Sequence, residues 1–540
     1  MSRRHYAGKL LSCRRCASPP GSLPDVIPSP SSKPEIAAVA ASERAWALWT
    51  LAAIAVLTAI RLAWIAVASA GLYPDEAQYW DWAKHLAFGY YSKPPLIPWL
   101  IALTTAMFGN SEWAIRLSAP LLHAAAAGFI YAIGARLYDQ RVGFWSALTY
   151  ATLPGVSLSS FVISTDAALL PCWAAALYAF VRARGPDGGR WWPAVGVAVG
   201  LGLLAKYAMA YWLISAFAFV LLTREEQRHL QPLLVATCIA LAMLLPNLWW
   251  NWSHGFASFR AVGDNAHLTA QLFHPRAFLK FVGSQLGVVG PLVFAGLIGI
   301  VLRPAALADR SGRLLAFFVL PTLALVMVQS LLSHAEPNWA APAYVAASVL
   351  VVAWTLGRGW RGWLTAAIAI NLAAAVALFG MTDALEAVGI AVPAKYDPLH
   401  RLRGWNRLGR QVSALLAAHP GLTLLADDRE LIAALTYYVH PHPFDAVEWS
   451  PVPGITDEWR LVNNIEAHRG GDFLAVTVHN LVGQMRPQFA SFAPLATIRI
   501  PTGRDGGMTY HIYIARDFRG SAQTVPRAGA TAADGSRPAR

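Results

Sequence analysis

The chain has 540 residues, 56% of them hydrophobic and 14% charged, with a net charge of +13. Soluble domains carry roughly 25% charged residues. The mean hydropathy of +0.42 therefore excludes a disordered or nucleic-acid-coating protein and predicts a multi-span membrane protein. The basic excess reads as arginines at the cytoplasmic ends of helices, and no nucleic acid partner is expected.

Residues 1–42 are rich in Ser, Pro and Arg without apolar periodicity. They read as a disordered cytoplasmic tail and lack the apolar core of a cleaved signal peptide. Cys13 and Cys16 in this tail have no second pair to complete a zinc site, and Cys172 and Cys238 sit in apolar runs; all four read as inert thiols. The first apolar run long enough to span a bilayer is 45–70. Further spans are predicted at 114–135, 142–163, 167–183, 191–205, 207–223, 231–250, 279–302, 314–331, 339–356 and 362–381, about 11 transmembrane helices in all. The apolar stretch 96–108 is too short to span and reads as a re-entrant or interfacial helix.

Charges alternate between the connections. One set holds Arg136 and Arg141; Arg182, Arg184 and Arg190; Arg224 and Arg228; Arg303, Arg310 and Arg313; Arg358 and Arg361. The positive-inside rule puts these loops and the N-terminus in the cytoplasm, and the C-terminus outside. The stretch 191–223 is divided into two spans with Lys206 at the outer turn, because a single span would carry Arg224, Arg303 and Arg358 outside. Residues 43–381 thus form the transmembrane part. Residues 382–520 hold charges, turns and short apolar runs, and read as a small α/β domain outside the membrane. It has strands at 422–426 and 473–478, a helix at 429–439, and a hairpin pairing 496–500 with 510–515 around Gly506-Gly507. Residues 521–540 form a disordered polar tail.

Five polar clusters fall on the outer side: Asp75-Glu76, Lys93-Pro-Pro, Ser164-Thr165-Asp166, Lys206-Tyr207 and His334-Ala-Glu336-Pro-Asn338-Trp339. Ionisable groups among membrane helices are costly and mark function, so five from separate connections predict one outward-facing site. Asp75 and Glu76 could accept a proton from an attacking hydroxyl or form an acidic helix cap. Tyr79, Trp80 and Trp82 suit an interfacial belt or a sugar platform, and Tyr90 stands three residues before Lys93. An anionic phosphate would satisfy both Lys93 and Lys206. Asp166 could pair with a lysine, orient an acceptor or cap a helix. His334 and Glu336 are too few to assert a metal site; a divalent cation is left open, because Asp75, Glu76, His334 and Glu336 could bind one or act without it. The loop between Trp249 and Arg276, with Arg260, could cover a substrate or only connect helices. Together these imply a carboxylate acting on an acceptor hydroxyl and lysines holding a lipid-linked phosphate.

At these residues the chain resembles bacterial membrane glycosyltransferases of the protein-mannosyltransferase-like family (glycosyltransferase family 39), GT-C fold. That group includes aminoarabinose transferases and lipid A and core galacturonosyltransferases of lipopolysaccharide. The matching stretches include Tyr73-Pro-Asp-Glu-Ala-Gln-Tyr-Trp, Gly89-Tyr-Tyr-Ser-Lys-Pro-Pro, Ser164-Thr-Asp-Ala, Gly202-Leu-Leu-Ala-Lys-Tyr and Glu336-Pro-Asn-Trp. The resemblance implies inverting transfer from a polyprenyl-phosphate sugar to a glycolipid, glycan or protein acceptor. Asp75, Glu76 and Asp166 would be catalytic. Lys93, Lys206, Tyr79, Tyr90, Tyr207, Arg260, His334, Glu336 and Asn338 would bind substrate. Gln78 departs from the aminoarabinose transferases, which have an arginine three residues after the first acid; phosphate contact would then rest on the lysines or Arg260. A transporter or flippase of a lipid-linked sugar is the alternative, but it should place charges at the midplane and show internal repeats.

Overall fold

The computed structural model describes residues 33–520 apart from 69, 187, 266–272, 391, 394–395, 453 and 502–506. The tails expected within 1–32 and 521–540, the tip of the expected hairpin and part of the 249–276 loop lie outside the described residues. Residues 46–540 form one unit, and the packing described here is within it.

The helices, in chain order, are α1 (Lys33–Val67), α2 (Pro74–Trp82), α3 (Leu96–Phe108), α4 (Glu112–Arg116), α5 (Ser118–Leu137), α6 (Gln140–Thr152), α7 (Pro154–Ser159), α8 (Thr165–Ala183) and α9 (Trp192–Ala205). There follow α10 (Ala210–Leu222), α11 (Leu230–Ser253), α12 (Ala257–Asn265), α13 (Pro275–Val289), α14 (Pro291–Val301), α15 (Arg310–Leu332), α16 (Ala343–Leu356) and α17 (Arg361–Ala387). Residues 33–42, read above as tail, are the first turns of α1.

Among the described residues, six helical segments are long and apolar enough to cross a membrane: Glu43–Val67, Glu112–Leu137, Thr165–Ala183, Arg224–Ser253, Arg310–Leu332 and Arg361–Ala387. Two expected spans are broken. Over 279–302 the chain turns by 119° between α13 and α14. The hinge is Gly290, whose φ of +81° is open to glycine, and Pro291 follows it. Over 142–163 the helix stops at Thr152 and restarts at Pro154, which has no amide to continue the ladder.

Beyond α17 come α18 (Trp405–Ala418), β1 (Thr423–Ala426), α19 (Arg429–Tyr438), β2 (Val447–Glu448), α20 (Glu458–Val462), β3 (Phe473–Thr477), α21 (Val482–Met485), β4 (Phe489–Pro501) and β5 (Gly507–Phe518). The strands form one sheet in the order β2-β1-β3-β5-β4. The first three are parallel, and β4 and β5 run antiparallel. Alternation along the strands feeds two faces: Leu424, Leu474 and Val476 pack with α18 and α19, while Leu425, Phe473 and Ala475 pack with Phe489 and Phe518. The expected strands and helix are found; α18 and the two-residue β2 were not anticipated, and the hairpin is longer than predicted.

The sheet domain docks on α2 through α19. Trp80 meets Tyr437 edge-on at 4.9 Å and lies against His442 and Phe444. The Tyr438 hydroxyl accepts from the Leu72 amide at 2.6 Å and donates to Glu112.

Candidate active site

Helix α2 starts because Pro74 pre-sets the first helical φ and Tyr73 ahead of it is extended. Neighbouring residues on a helix point about 100° apart, and Asp75 and Glu76 part company accordingly. Glu76 is fully buried. It pairs with Arg116 through Nη2 at 2.6 Å and Nε at 2.9 Å. It also accepts from the amides of Tyr73 at 2.8 Å and Ile163 at 2.9 Å. Both oxygens of Glu76 are thus committed to partners inside the bundle, where it anchors the start of α2.

Asp75 faces outward with its side chain 39% exposed. Its Oδ1 accepts from Arg429 Nη1 at 2.9 Å, and the same nitrogen donates to Gln78 Oε1 at 2.6 Å. Arg429 is the first residue of α19, whose N-cap is Asp428. Sequence reasoning missed it. One signal was available: a cation in the first turn of a helix opposes the helix dipole and calls for an anion elsewhere.

Asp166 lies in the first turn of α8, buried. Of the three roles left open for it, the geometry is that of pairing: Lys206 Nζ donates to Oδ1 at 2.8 Å and Asn338 Nδ2 to Oδ2 at 2.5 Å. Lys206 is extended backbone (φ −160°) between α9 and a short 3₁₀ turn, Tyr207–Met209. It therefore interrupts the apolar stretch at a helix end, as the loop charges required.

Lys93 sits on a loop fastened from several directions. The Tyr90 ring stacks on Trp82 at 4.7 Å, and its hydroxyl bonds the Trp82 and His85 carbonyls. The Tyr90 carbonyl accepts from Ser258 at 2.7 Å, and the Tyr91 amide donates to Glu458 of α20. At Gly89 a Cβ would come within 2.5 Å of the Trp250 ring, so only glycine lets the loop lie on α11. Asn247 joins the loop to the Lys206 turn: its Nδ2 donates to the Phe88 carbonyl and its Oδ1 accepts from the Tyr207 hydroxyl, both at 2.8 Å. Tyr90 and Tyr207 thus brace the loop through protein partners.

Among the described residues no carboxylate lies within ion-pair distance of Lys93. Burial pulls its ammonium below the usual lysine value; the Asp75 and Asp166 charges oppose this, and Lys206 and Arg429 add to it. Three half-buried cations therefore surround two carboxylates, and Lys93 is the one of the three without a carboxylate partner among the described residues. Tyr79 borders the cluster, its phenol pushed up by burial first and by Asp75 second. A cavity of about 340 Å³ runs inward from Asp166 and Asn338, between Ser164, Ser159, Tyr150 and Tyr344.

Three expected residues stand apart. Arg260 is exposed on α12, where its charge acts on Tyr91. His334, half-buried, and Glu336, exposed, lie 3.9 Å apart, while Asn338 two residues on from Glu336 reaches Asp166. Among the described residues no three His, Cys, Asp or Glu side chains gather as metal ligands. At the other ends of the helices the arginine-bearing loops converge: Glu226 binds Arg184 at 2.6 Å and Arg310 at 2.7 Å.

The profile of the dolichyl-phosphate-mannose-protein mannosyltransferase family matches residues 92–250. Lipid A galacturonosyltransferase RgtD of Rhizobium johnstonii is 33% identical over 365 residues, 67% of this chain and 76% of the relative. The undecaprenyl phosphate-α-4-amino-4-deoxy-L-arabinose arabinosyl transferase of Pseudomonas savastanoi is 26% identical over 48% of this chain and 57% of its own. Crystal structures of ArnT from Cupriavidus metallidurans share the fold: the apo form has a TM-score of 0.61 at 15% identity, covering 88% of this chain and 98% of that one. The form bound to undecaprenyl phosphate has a TM-score of 0.58 at 16% identity, covering 87% and 98%. By its identity to the galacturonosyltransferase over three quarters of that protein, the chain belongs to the protein-mannosyltransferase-like family of multi-pass membrane glycosyltransferases with the GT-C fold.

Proposed function

We propose that the chain transfers a sugar, a uronate in the first instance, from a polyprenyl-phosphate donor to lipid A, with Asp75 as the proton acceptor. One observation carries this: an outward-facing carboxylate stands in a cluster whose half-buried Lys93 has no carboxylate partner among the described residues. The relatives name the reagents: lipid A and galacturonate for one, an undecaprenyl-phosphate-linked sugar for another. In the reaction the acceptor hydroxyl oxygen bonds to the anomeric carbon from the face opposite the phosphate. The carbon–oxygen bond to the phosphate breaks with its electron pair left on the phosphate, and the hydroxyl proton passes to Asp75. Lys93 and Lys206 stabilise the departing lipid phosphate in a low-dielectric setting where such charges count most. Asp166 and Asn338 orient Lys206, Tyr79 packs behind Asp75, and the inward cavity takes part of a substrate.

The topology follows the same reading: about 11 membrane passes, N-terminus cytoplasmic, site and sheet domain (382–520) on the periplasmic side of the inner membrane. Its support is charge: Arg184 and Arg310 gather on Glu226 at one end of the bundle and the acid–lysine cluster at the other.

Mass spectrometry of lipid A tests the reading, in cells carrying wild type or Asp75→Asn at equal membrane abundance. A uronate-sized mass present with wild type and lost with the variant is expected. A lipid A unchanged by removal of the whole gene would overturn the acceptor assignment, and a variant that still transfers would overturn the role of Asp75.

A further inference from the structure

We infer that Arg429, delivered by the sheet domain, completes the active site: one edge of its guanidinium holds Asp75 in place and its free edge takes the donor phosphate. The inference rests on the reading of Asp75 given above. The geometry is specific. Arg429 comes from 354 residues along the chain, yet its Nη1 alone serves both Asp75 and Gln78. Its Nη2 and Nε have no hydrogen-bond partner among the described residues. The side chain is 39% exposed, so those donors are open to a ligand. Its charge acts on Lys93 together with that of Lys206, which puts the three cations around one space. Lys206 is committed to Asp166. An entering phosphate therefore finds Lys93 unpaired and the free edge of Arg429, a planar donor pair suited to two phosphate oxygens.

The arrangement also has a consequence during the reaction. As the carbon–oxygen bond breaks, negative charge grows on the phosphate and Asp75 becomes neutral on taking the proton. The guanidinium is released from one anion as the other strengthens, so its contact with the phosphate, unlike its contact with Asp75, grows toward the transition state. Arg429 is a positioning residue toward Asp75 and a binding residue toward the phosphate.

The test uses the purified full chain with Arg429→Ala, Arg429→Gln and the double variant Arg429→Ala/Gln78→Arg. Transfer of sugar to lipid A from a polyprenyl-phosphate sugar gives kcat and KM, and undecaprenyl phosphate binding is measured separately. Arg429→Ala should lower kcat by about 10²-fold and weaken undecaprenyl phosphate binding by about tenfold. Arg429→Gln keeps one donor and drops the charge, and should be impaired similarly. Gln78→Arg returns a guanidinium to the place where Nη1 stood 2.6 Å from Gln78 Oε1, and should recover most of both losses. A brace between domains predicts otherwise: a lower melting temperature, unchanged undecaprenyl phosphate binding and no rescue by Gln78→Arg. That pattern, or wild-type kinetics in Arg429→Ala, overturns the inference. Asp75→Asn is run alongside: if it keeps full transfer, the underlying reading has failed, whereas its loss with normal Arg429 variants condemns only the role of Arg429.

Discussion

Adjacent acids on α2 should give opposite phenotypes. Glu76→Gln removes the only carboxylate paired with Arg116 among the described residues, and Arg116 is itself buried. The arginine would keep its bonds to the Ala70 and Gly71 carbonyls, at 3.1 and 2.6 Å, and its place over the Phe161 ring. Its charge, however, would have no paired carboxylate among the described residues, with only the charge of Glu112 acting on it without an ion pair. Removing one partner of a buried pair costs about 3–5 kcal/mol, and each 1.4 kcal/mol is tenfold in an equilibrium. The folded fraction relative to unfolded should therefore fall by about 10²–10⁴. Glu76 also terminates the Tyr73 and Ile163 amides, so the start of α2 and the chain entering α8 loosen together. Asp75→Asn leaves an exposed pair, worth about 1 kcal/mol or less, and should fold normally. The assay is size-exclusion chromatography and thermal unfolding of detergent-solubilised chain, with transfer per folded molecule measured on the same samples. Glu76→Gln should aggregate or melt early; Asp75→Asn should elute and melt as wild type and transfer nothing. A Glu76→Gln protein with wild-type melting and no transfer would refute this reasoning and return Glu76 to the chemistry.

Lys206→Ala strands Asp166 with Asn338 alone; it should destabilise the chain by about 3 kcal/mol and abolish transfer, while Lys206→Gln with Asp166→Asn regains the melting temperature but not the activity. Gly89→Ala drives a methyl into Trp250 and should lower kcat by about tenfold through displacement of the Lys93 loop, with partial recovery when Trp250→Leu is added; equal kcat in wild type and Gly89→Ala would show that the loop tolerates the shift. Glu458 is pushed up to about 7, burial first and the Tyr91 amide opposing. Raised above its ordinary value, this carboxyl contributes stability that is complete below pH 4.5 and lost as pH climbs through 7, about 3 kcal/mol at most. The melting temperature should fall between pH 5 and 8, and Glu458→Gln should flatten that slope; an unchanged slope would acquit Glu458.

Much of this was legible in the chain because the bilayer imposes simple rules. Long apolar helices must satisfy their own backbones, so the runs at 114–135, 167–183 and 314–331 announce themselves. Charge alternation then sorted the polar clusters onto one face, and Asp166, Lys206 and Asn338 do meet. The aromatic residues were not legible in the same way. Tyr90 and Tyr207 occupy positions next to the lysines, but sequence proximity does not distinguish a ring that touches substrate from one that fixes the loop. The bends at Gly290 and Pro154 were missed because hydropathy averages over the residues that break a helix. The parting of Asp75 and Glu76 was readable, since residues 100° apart cannot both face one site.

Arg429 was out of reach for a different reason: its partner lies in another part of the fold. Parallel strands present their carboxyl ends toward ligand sites, and the sheet domain does so here. The chain leaving β1 runs through Asp427 and Asp428 into Arg429, which meets Asp75. The chain leaving β2 leads to Glu458, which holds the Tyr91 amide two residues from Lys93. Two successive crossovers from one sheet edge therefore touch the acid and the lysine loop. Docked by this edge, the sheet sets Arg429 against Asp75 and Glu458 against the loop of Lys93, so loosening its attachment should shift both at once.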